Sequence, residues 1–119
     1  MIVEERIYVL HTEVKLKEYL HIYETEGLPV QLEILQGLMG YFVTEFGTQN
    51  QLVHLWAYQD LEDRRRRRAL LHENARWLGC LEKIRPMIMT MENRLMYPTS
   101  FSPLPAAMFP ALGPVAGSL

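Results

Sequence analysis

Apolar and polar positions alternate with a period of two over Ile2–Leu10. Glu4, Arg6 and Tyr8 share one parity and Val3, Ile7 and Val9 the other, with Glu5 as the exception. A strand sorts residues in this way, whereas a helix scatters them. The period then changes: Leu16, Tyr19, Leu20 and Tyr23 fall at i, i+3, i+4 and i+7, with Lys15, Lys17, Glu18, Glu24 and Glu26 around them. That stripe predicts an amphipathic helix. Thr12 is placed to cap it, Gly27 to stop it as a left-handed cap and Pro29 to keep it from continuing, with a short helical restart over 30–36. Strands are expected over 38–46 and Gln51–Tyr58, joined through Gly47-Thr48-Gln49-Asn50 as a hairpin. Asp60 then stands at the start of a helix over 61–72, with Asp63 three residues on in a capping arrangement. A second helical stretch, 74–85, carries Trp77, Leu78, Leu81 and Ile84 on one face until Pro86 ends it, and 87–96 is the fourth strand. The order is β-α-β-β-α-β: an α+β domain with a four-stranded antiparallel sheet and its helices on one face. Five of the seven prolines lie beyond residue 97. The expected division is a folded domain over 1–97 and a proline-rich tail over 98–119.

The third strand carries the most information. Its alternation sets His54, Trp56 and Tyr58 against Val53, Leu55 and Ala57. The small aliphatic face suits packing beneath helices. The aromatic face, with Arg6 and Tyr8 of the first strand, is then expected on the bare side of the sheet. Thr90, Glu92 and Arg94 share one parity of the fourth strand and are assigned to that same side. A bare aromatic face of this size is rare on monomers, so a second copy of the chain is expected to cover it.

Composition narrows the possibilities. A chain of 119 residues, 49% hydrophobic, can bury a core as one domain. A net charge of −2 argues against nucleic acid and anionic membrane as partners. No apolar run approaches a membrane span, and the acidic N-terminus lacks a signal core. The single cysteine, Cys80, lies beside Leu78 and Leu81 and reads as a small buried hydrophobe in a reducing, cytoplasmic setting. The four histidines show no metal-ligand spacing, and neither a phosphate loop nor a serine nucleophile motif is present. The five arginines Arg64 to Arg68 circle a helix, with Asp60, Glu62 and Asp63 each four residues ahead of Arg64, Arg66 and Arg67. They read as an ion-paired, solvated helix.

Two functions remain open. In one, a small organic molecule binds between the sheet and the partner copy, with Arg6, Tyr8, His54, Trp56, Tyr58, Glu92 and Arg94 around it. Arg6 would hold an anionic or carbonyl group. His54 and Glu92 are the candidates for moving protons, and no metal or cofactor is called for. In the other, the sheet interface is only a dimer core, and the tail or the arginine helix meets another protein.

Several segments, in order, resemble the NIPSNAP family. They are the run from Val53 to Arg64, Tyr23-Glu24-Thr25-Glu26-Gly27-Leu28-Pro29, Gly40-Tyr41-Phe42, Gly47-Thr48-Gln49-Asn50-Gln51, Lys83-Ile84-Arg85-Pro86, Glu92 with Arg94, and Phe101-Ser102-Pro103-Leu104. The resemblance covers residues 2–104 and departs at Glu13-Val14, where a glycine turn would be expected. It implies a ferredoxin-like fold of the dimeric α/β-barrel kind. Similar barrels include small monooxygenases and isomerases, so a cofactor-independent oxygenase or isomerase is one implied activity, although fold alone does not fix chemistry.

Overall fold

The computed structural model describes residues 1–104. Strand β1 (Ile2–Leu10) leads to helix α1 (Leu16–Ile22), a π-helical turn (Tyr23–Gly27) and helix α2 (Leu28–Ile34). Strands β2 (Leu38–Val43) and β3 (Gln51–Tyr58) follow, then helices α3 (Leu61–Glu73) and α4 (Ala75–Ile84) and strand β4 (Ile88–Met96). The sheet has the order β2-β3-β1-β4, and every pairing is antiparallel. The β-α-β-β-α-β expectation therefore holds, with β1 in the middle of the sheet, paired on both sides.

The helical details differ from the local signals. Thr12 does not cap α1: position N-cap is Lys15, with no side-chain cap, and the Thr12 hydroxyl turns to the Glu13 carboxylate. The amide of Asn50 holds this connection instead, donating to the carbonyls of His11 and Val14 at 3.1 and 3.2 Å. Gly27 does not terminate the helix either. Its φ is −103°, and the chain passes through the π-turn straight into α2, which has Pro29 in its first turn. Proline lacks an N–H and crowds the carbonyl four residues back, and a widened turn relieves both problems. Gly27 serves close packing: a Cβ there would lie 2.9 Å from Cys80 Sγ and 3.1 Å from the Trp77 ring. By contrast, Asp60 caps α3 as its sequence implied. Its Oδ1 accepts from the Asp63 amide at 2.7 Å, and Asp63 Oδ2 accepts from the Gln59 amide at 3.0 Å. Asn74 closes α3 and caps α4 in turn, accepting from the Trp77 amide.

The sheet presents the opposite face to the helices from the one expected. Leu52, His54, Trp56 and Tyr58 of β3 lie in the core with Tyr8 and Leu10 of β1, packed with Tyr19, Tyr23, Leu71 and Trp77 from the helical layer. Ile7, Val9, Val53 and Leu55 stay half-exposed on the bare side, where Phe42 is 53% exposed. Val3 and Ala57, paired with each other at one end of that side, are buried. The physical reason is area. Aromatic rings hide far more apolar surface than valines do, so the helices cover the aromatic face.

β4 ends at Met96. Pro98 is buried, and a turn bonds the Ser102 amide to the Thr99 carbonyl. The expected tail over 98–119 extends beyond residue 104, and that part lies outside the described residues. Among the described residues, no helix is long and apolar enough to cross a membrane.

Candidate functional site

The site grows from the parity of β1. Glu4, Arg6 and Tyr8 all point into the helix-covered side. Glu4 is wholly enclosed, and four donors converge on its carboxylate: Arg64 Nε and Nη2 at 3.2 and 2.9 Å, Arg6 Nη1 at 3.1 Å and Asn93 Nδ2 at 2.7 Å. Burial alone would raise the pKa of Glu4, but Arg64, Asn93 and Arg6 outweigh it and hold the carboxyl down at about 2. Arg6 also donates from Nε to the Tyr8 hydroxyl at 2.8 Å. A buried ion cluster of this kind fixes side-chain positions, because breaking it leaves an uncompensated charge.

Next to Arg6 across the ladder lies His54 of β3. Tyr41 stacks on its ring at 4.4 Å between centroids, and Tyr8 meets it edge-on at 4.8 Å. The indole nitrogen of Trp56, two residues along the same face, sits 2.7 Å from His54 Nδ1. An indole N–H can only donate, so Nδ1 accepts and the neutral ring carries its proton on Nε2. Burial, then the positive charge of Arg6, lowers the pKa of His54 to about 3. His54 is thus a neutral donor through Nε2–H, and that atom is buried with no hydrogen-bond partner.

A cavity of about 240 Å³ opens here between the helices and the sheet. Arg6, Tyr8, Tyr41 and His54 line the sheet side; Tyr19, Tyr23, Gln31, Arg68 and Trp77 line the helical side. The Tyr23 hydroxyl donates to Gln31 Oε1. The Tyr41 hydroxyl lies near enough to that of Tyr19 to influence its ionisation, without a hydrogen bond of good geometry. Burial holds Tyr19, Tyr23 and Tyr41 firmly protonated. The indole N–H of Trp77, like His54 Nε2 and the Tyr41 hydroxyl, is buried in this lining without a partner. A shallower groove of about 470 Å³ runs past Lys17, His21 and Val43, with Tyr23 and Tyr41 bordering both spaces. The smaller cavity holds the buried polar atoms and is the better candidate for chemistry.

Of the residues named from sequence, Arg6, Tyr8 and His54 come together at this cavity. Trp56 stands behind His54 as the donor that sets its tautomer. Tyr58 shares their face and is fully buried, but it lies apart from the cavity lining. Glu92 and Arg94 do not join them. Glu92 pairs with Ile7 and Arg94 with Glu5, so both belong to the bare face, and Arg94 is bonded to Glu5 at 2.9 Å. His54 and Glu92 therefore stand on opposite sides of the sheet and cannot divide acid and base work between them. The reason is the same inversion of faces, which also moves the cavity: it lies within one chain, under its helices, rather than between two sheets.

The arginine helix is likewise more than a solvated surface. Arg65 and Arg66 pair with Glu62 and Asp63, and Asp63 also holds Arg67 at 2.9 Å, as spacing implied for that last pair. Arg64, however, turns to Glu4, and Arg68 reaches the cavity. A signal for this was present: Arg64, Arg67, Arg68 and Leu71 fall at i, i+3, i+4 and i+7, and Leu71 is fully buried. Cys80 is buried, with burial raising its thiol pKa, in keeping with a packing role. Among the described residues, no cluster of three or more His, Cys, Asp or Glu could hold a metal ion.

Comparison with known proteins places the chain. The family model described as NIPSNAP matches residues 3–103. Protein NipSnap homolog 1 of Danio rerio is 38% identical over 66 residues, which are 56% of this chain and 24% of that protein. The match thus spans about a quarter of the length of that curated relative. Among solved structures, a NIPSNAP-like domain protein of Burkholderia xenovorans is 46% identical, with a TM-score of 0.82 over 87% of this chain and 89% of that one. A dimeric ferredoxin-like protein from an uncultured marine organism, 12% identical with a TM-score of 0.62 over 83% of this chain and 88% of that one, shares the fold. With a family model covering nearly the whole described domain, and a helix-backed sheet in the ferredoxin-like order, the chain belongs to the NIPSNAP family.

Proposed function

We propose that this domain binds a small organic molecule in the cavity between its helices and its sheet. The observation that carries the reading is the pair of orphaned donors, His54 Nε2–H and Trp77 Nε1–H, both buried in residues that line one cavity. Buried polar atoms normally have partners, and each one left without costs about 1–3 kcal/mol. The cavity is below the roughly 300–1,000 Å³ usual for drug-sized ligands, which suits a metabolite. Any turnover on this reading is cofactor-independent, an isomerisation or the oxygenation of a reactive substrate. His54 would act there as a neutral donor to a developing enolate oxygen, as neutral histidines do elsewhere.

The same reading has two copies pair through the bare sheet face, where Ile7, Val53, Leu55 and Phe42 leave apolar surface for a partner to cover. The rival reading, a scaffold whose barrel is only a dimer core, draws on this face as well but leaves the orphaned donors unexplained.

The test is a metabolite screen read by thermal unfolding and by NMR. A binder at a hundred times its Kd stabilises by about 2.7 kcal/mol, several degrees in melting temperature. Its shifts should centre on Tyr8, His54 and Trp77. A broad screen without binders, or binders whose shifts avoid these residues, overturns the proposal.

A further inference from the structure

The chemistry of the cavity wall says more about the ligand than that it is small. Three arginines, Arg6, Arg68 and Arg85, line the cavity, and no aspartate or glutamate does. The charge of Arg6 is shared with Glu4, but neither Arg68 nor Arg85 forms an ion pair among the described residues. Three side-chain polar atoms of this lining are buried without a partner: the Tyr41 hydroxyl, which can donate or accept, and His54 Nε2 and Trp77 Nε1, which can only donate. The indole of Trp77 has no lone pair to offer. The imidazole of His54 has already used its acceptor nitrogen on Trp56. A ligand atom meeting His54 and Trp77 must accept hydrogen bonds, and it does so in a field left positive by unpaired guanidinium groups. Around these donors the wall is apolar or aromatic, with Ile84, Ile88 and Met91 beside the tyrosine rings.

We propose that the cavity is a carboxylate site: its ligand is a small organic acid whose carboxylate meets His54, Trp77 and Arg68 while an apolar or aromatic body lies against the tyrosines. This rests on the reading of the cavity as a ligand site and names the class of ligand. A carboxylate supplies two acceptor oxygens and a negative charge with nothing to donate, which is the complement of this wall. An amide of the same shape brings two N–H donors that would face other donors, and an unpaired polar group in such a site is strongly discriminated against.

Phenylacetate and phenylacetamide make the test, because they differ only in the group at issue. Each is titrated into uniformly 15N-labelled protein at neutral pH, where the acid is ionised. The chain has two tryptophans, and therefore two indole N–H signals. Phenylacetate should bind at least tenfold more tightly than phenylacetamide. It should move the Trp77 indole signal downfield to saturation while the signal of Trp56, already bonded to His54, moves little. Arg68→Gln should remove the preference for the acid while the folded spectrum is retained. Equal binding of acid and amide overturns the carboxylate assignment and leaves a ligand cavity standing. Binding of the acid without movement of the Trp77 indole overturns the assignment to this cavity. Absence of acid binding at millimolar concentration, with Trp77 unmoved, leaves water as the partner of these donors and overturns it too. The proposed function is then judged separately, on the wider screen.

Discussion

The indole nitrogen of Trp56 stands 2.7 Å from Nδ1 of His54, and this one bond decides which histidine nitrogen faces the cavity with a proton. Replacing the indole should release it. In Trp56→Phe, the imidazole is expected to exchange between both tautomers, or to bind water at Nδ1, where the parent holds Nε2–H alone. Imidazole 15N shifts read the difference directly. The substitution also removes buried ring surface and a bonded donor, with an expected loss of about 1–3 kcal/mol in denaturant unfolding. An unchanged tautomer would show that Trp56 does not set it.

His54 should shape the acid limb of stability. Its pKa is lowered from an ordinary 6.5 to about 3 in the folded chain. Above 6.5 the ring is neutral in both states and contributes nothing pH-dependent. Below 6.5 the unfolded chain takes up a proton that the folded chain refuses. Stability should therefore fall by up to about 1.4 kcal/mol per pH unit as pH drops from 6.5 toward 3. Unfolding free energies at pH 7 and 5 should differ more in the parent than in His54→Gln. Equal pH slopes would refute the assignment.

Glu4 acts in a lower window. Its pKa is lowered from 4.5 to about 2, so its contribution is complete above 4.5 and disappears as pH falls toward 2. Glu4→Gln leaves Arg6 and Arg64 without their shared buried anion. The expected cost at pH 7 is about 3–5 kcal/mol, the usual range for breaking a buried ion pair from one side. Urea unfolding measures it, and a loss below about 1 kcal/mol would mean that solvent screens the cluster as it does a surface pair.

Gly27 and Cys80 should be energetically coupled. A Cβ at position 27 would meet Cys80 Sγ at 2.9 Å, and Trp77 at 3.1 Å stands close behind. Although alanine favours helix over glycine by up to about 1 kcal/mol, overpacking should win, making Gly27→Ala destabilising by about 1–2 kcal/mol. In a Cys80→Ala background the same change should cost much less. A double-mutant cycle with no interaction energy would show that the contact is not the constraint.

The two faces of β3 should respond oppositely to charge. Leu55→Arg alters the bare face and is expected to fold with less than about 1 kcal/mol change in chain stability. On the homodimer reading, it also halves the mass seen in analytical ultracentrifugation. Tyr58→Arg places a cation in the enclosed core and should not fold. A folded Tyr58→Arg alongside an unfolded Leu55→Arg would reverse the assignment of the faces.

What the sequence determined by itself was local and periodic. The twofold alternation of β1 and β3, the helical stripe from Leu16 to Tyr23 and the Asp60 cap are properties of neighbouring residues, and the structure retains them. The membership of each sheet face on β3 was equally legible, since parity needs no tertiary information. Tertiary structure decided which face the helices cover. That is a comparison of whole surfaces, won by the larger apolar area of Trp56, Tyr58 and Tyr8, and polar tips on aromatic rings did not tip it the other way. Tertiary structure also decided the partners of long side chains. Arg64 had an acid four residues away at Asp60, yet it bonds Glu4, 60 positions back along the chain, because a buried carboxylate between two guanidinium groups is a stronger attractor than a solvated one. The cavity itself follows from that packing. Its donors come from β1, β3, α3 and α4, and only folding brings four such elements to one space.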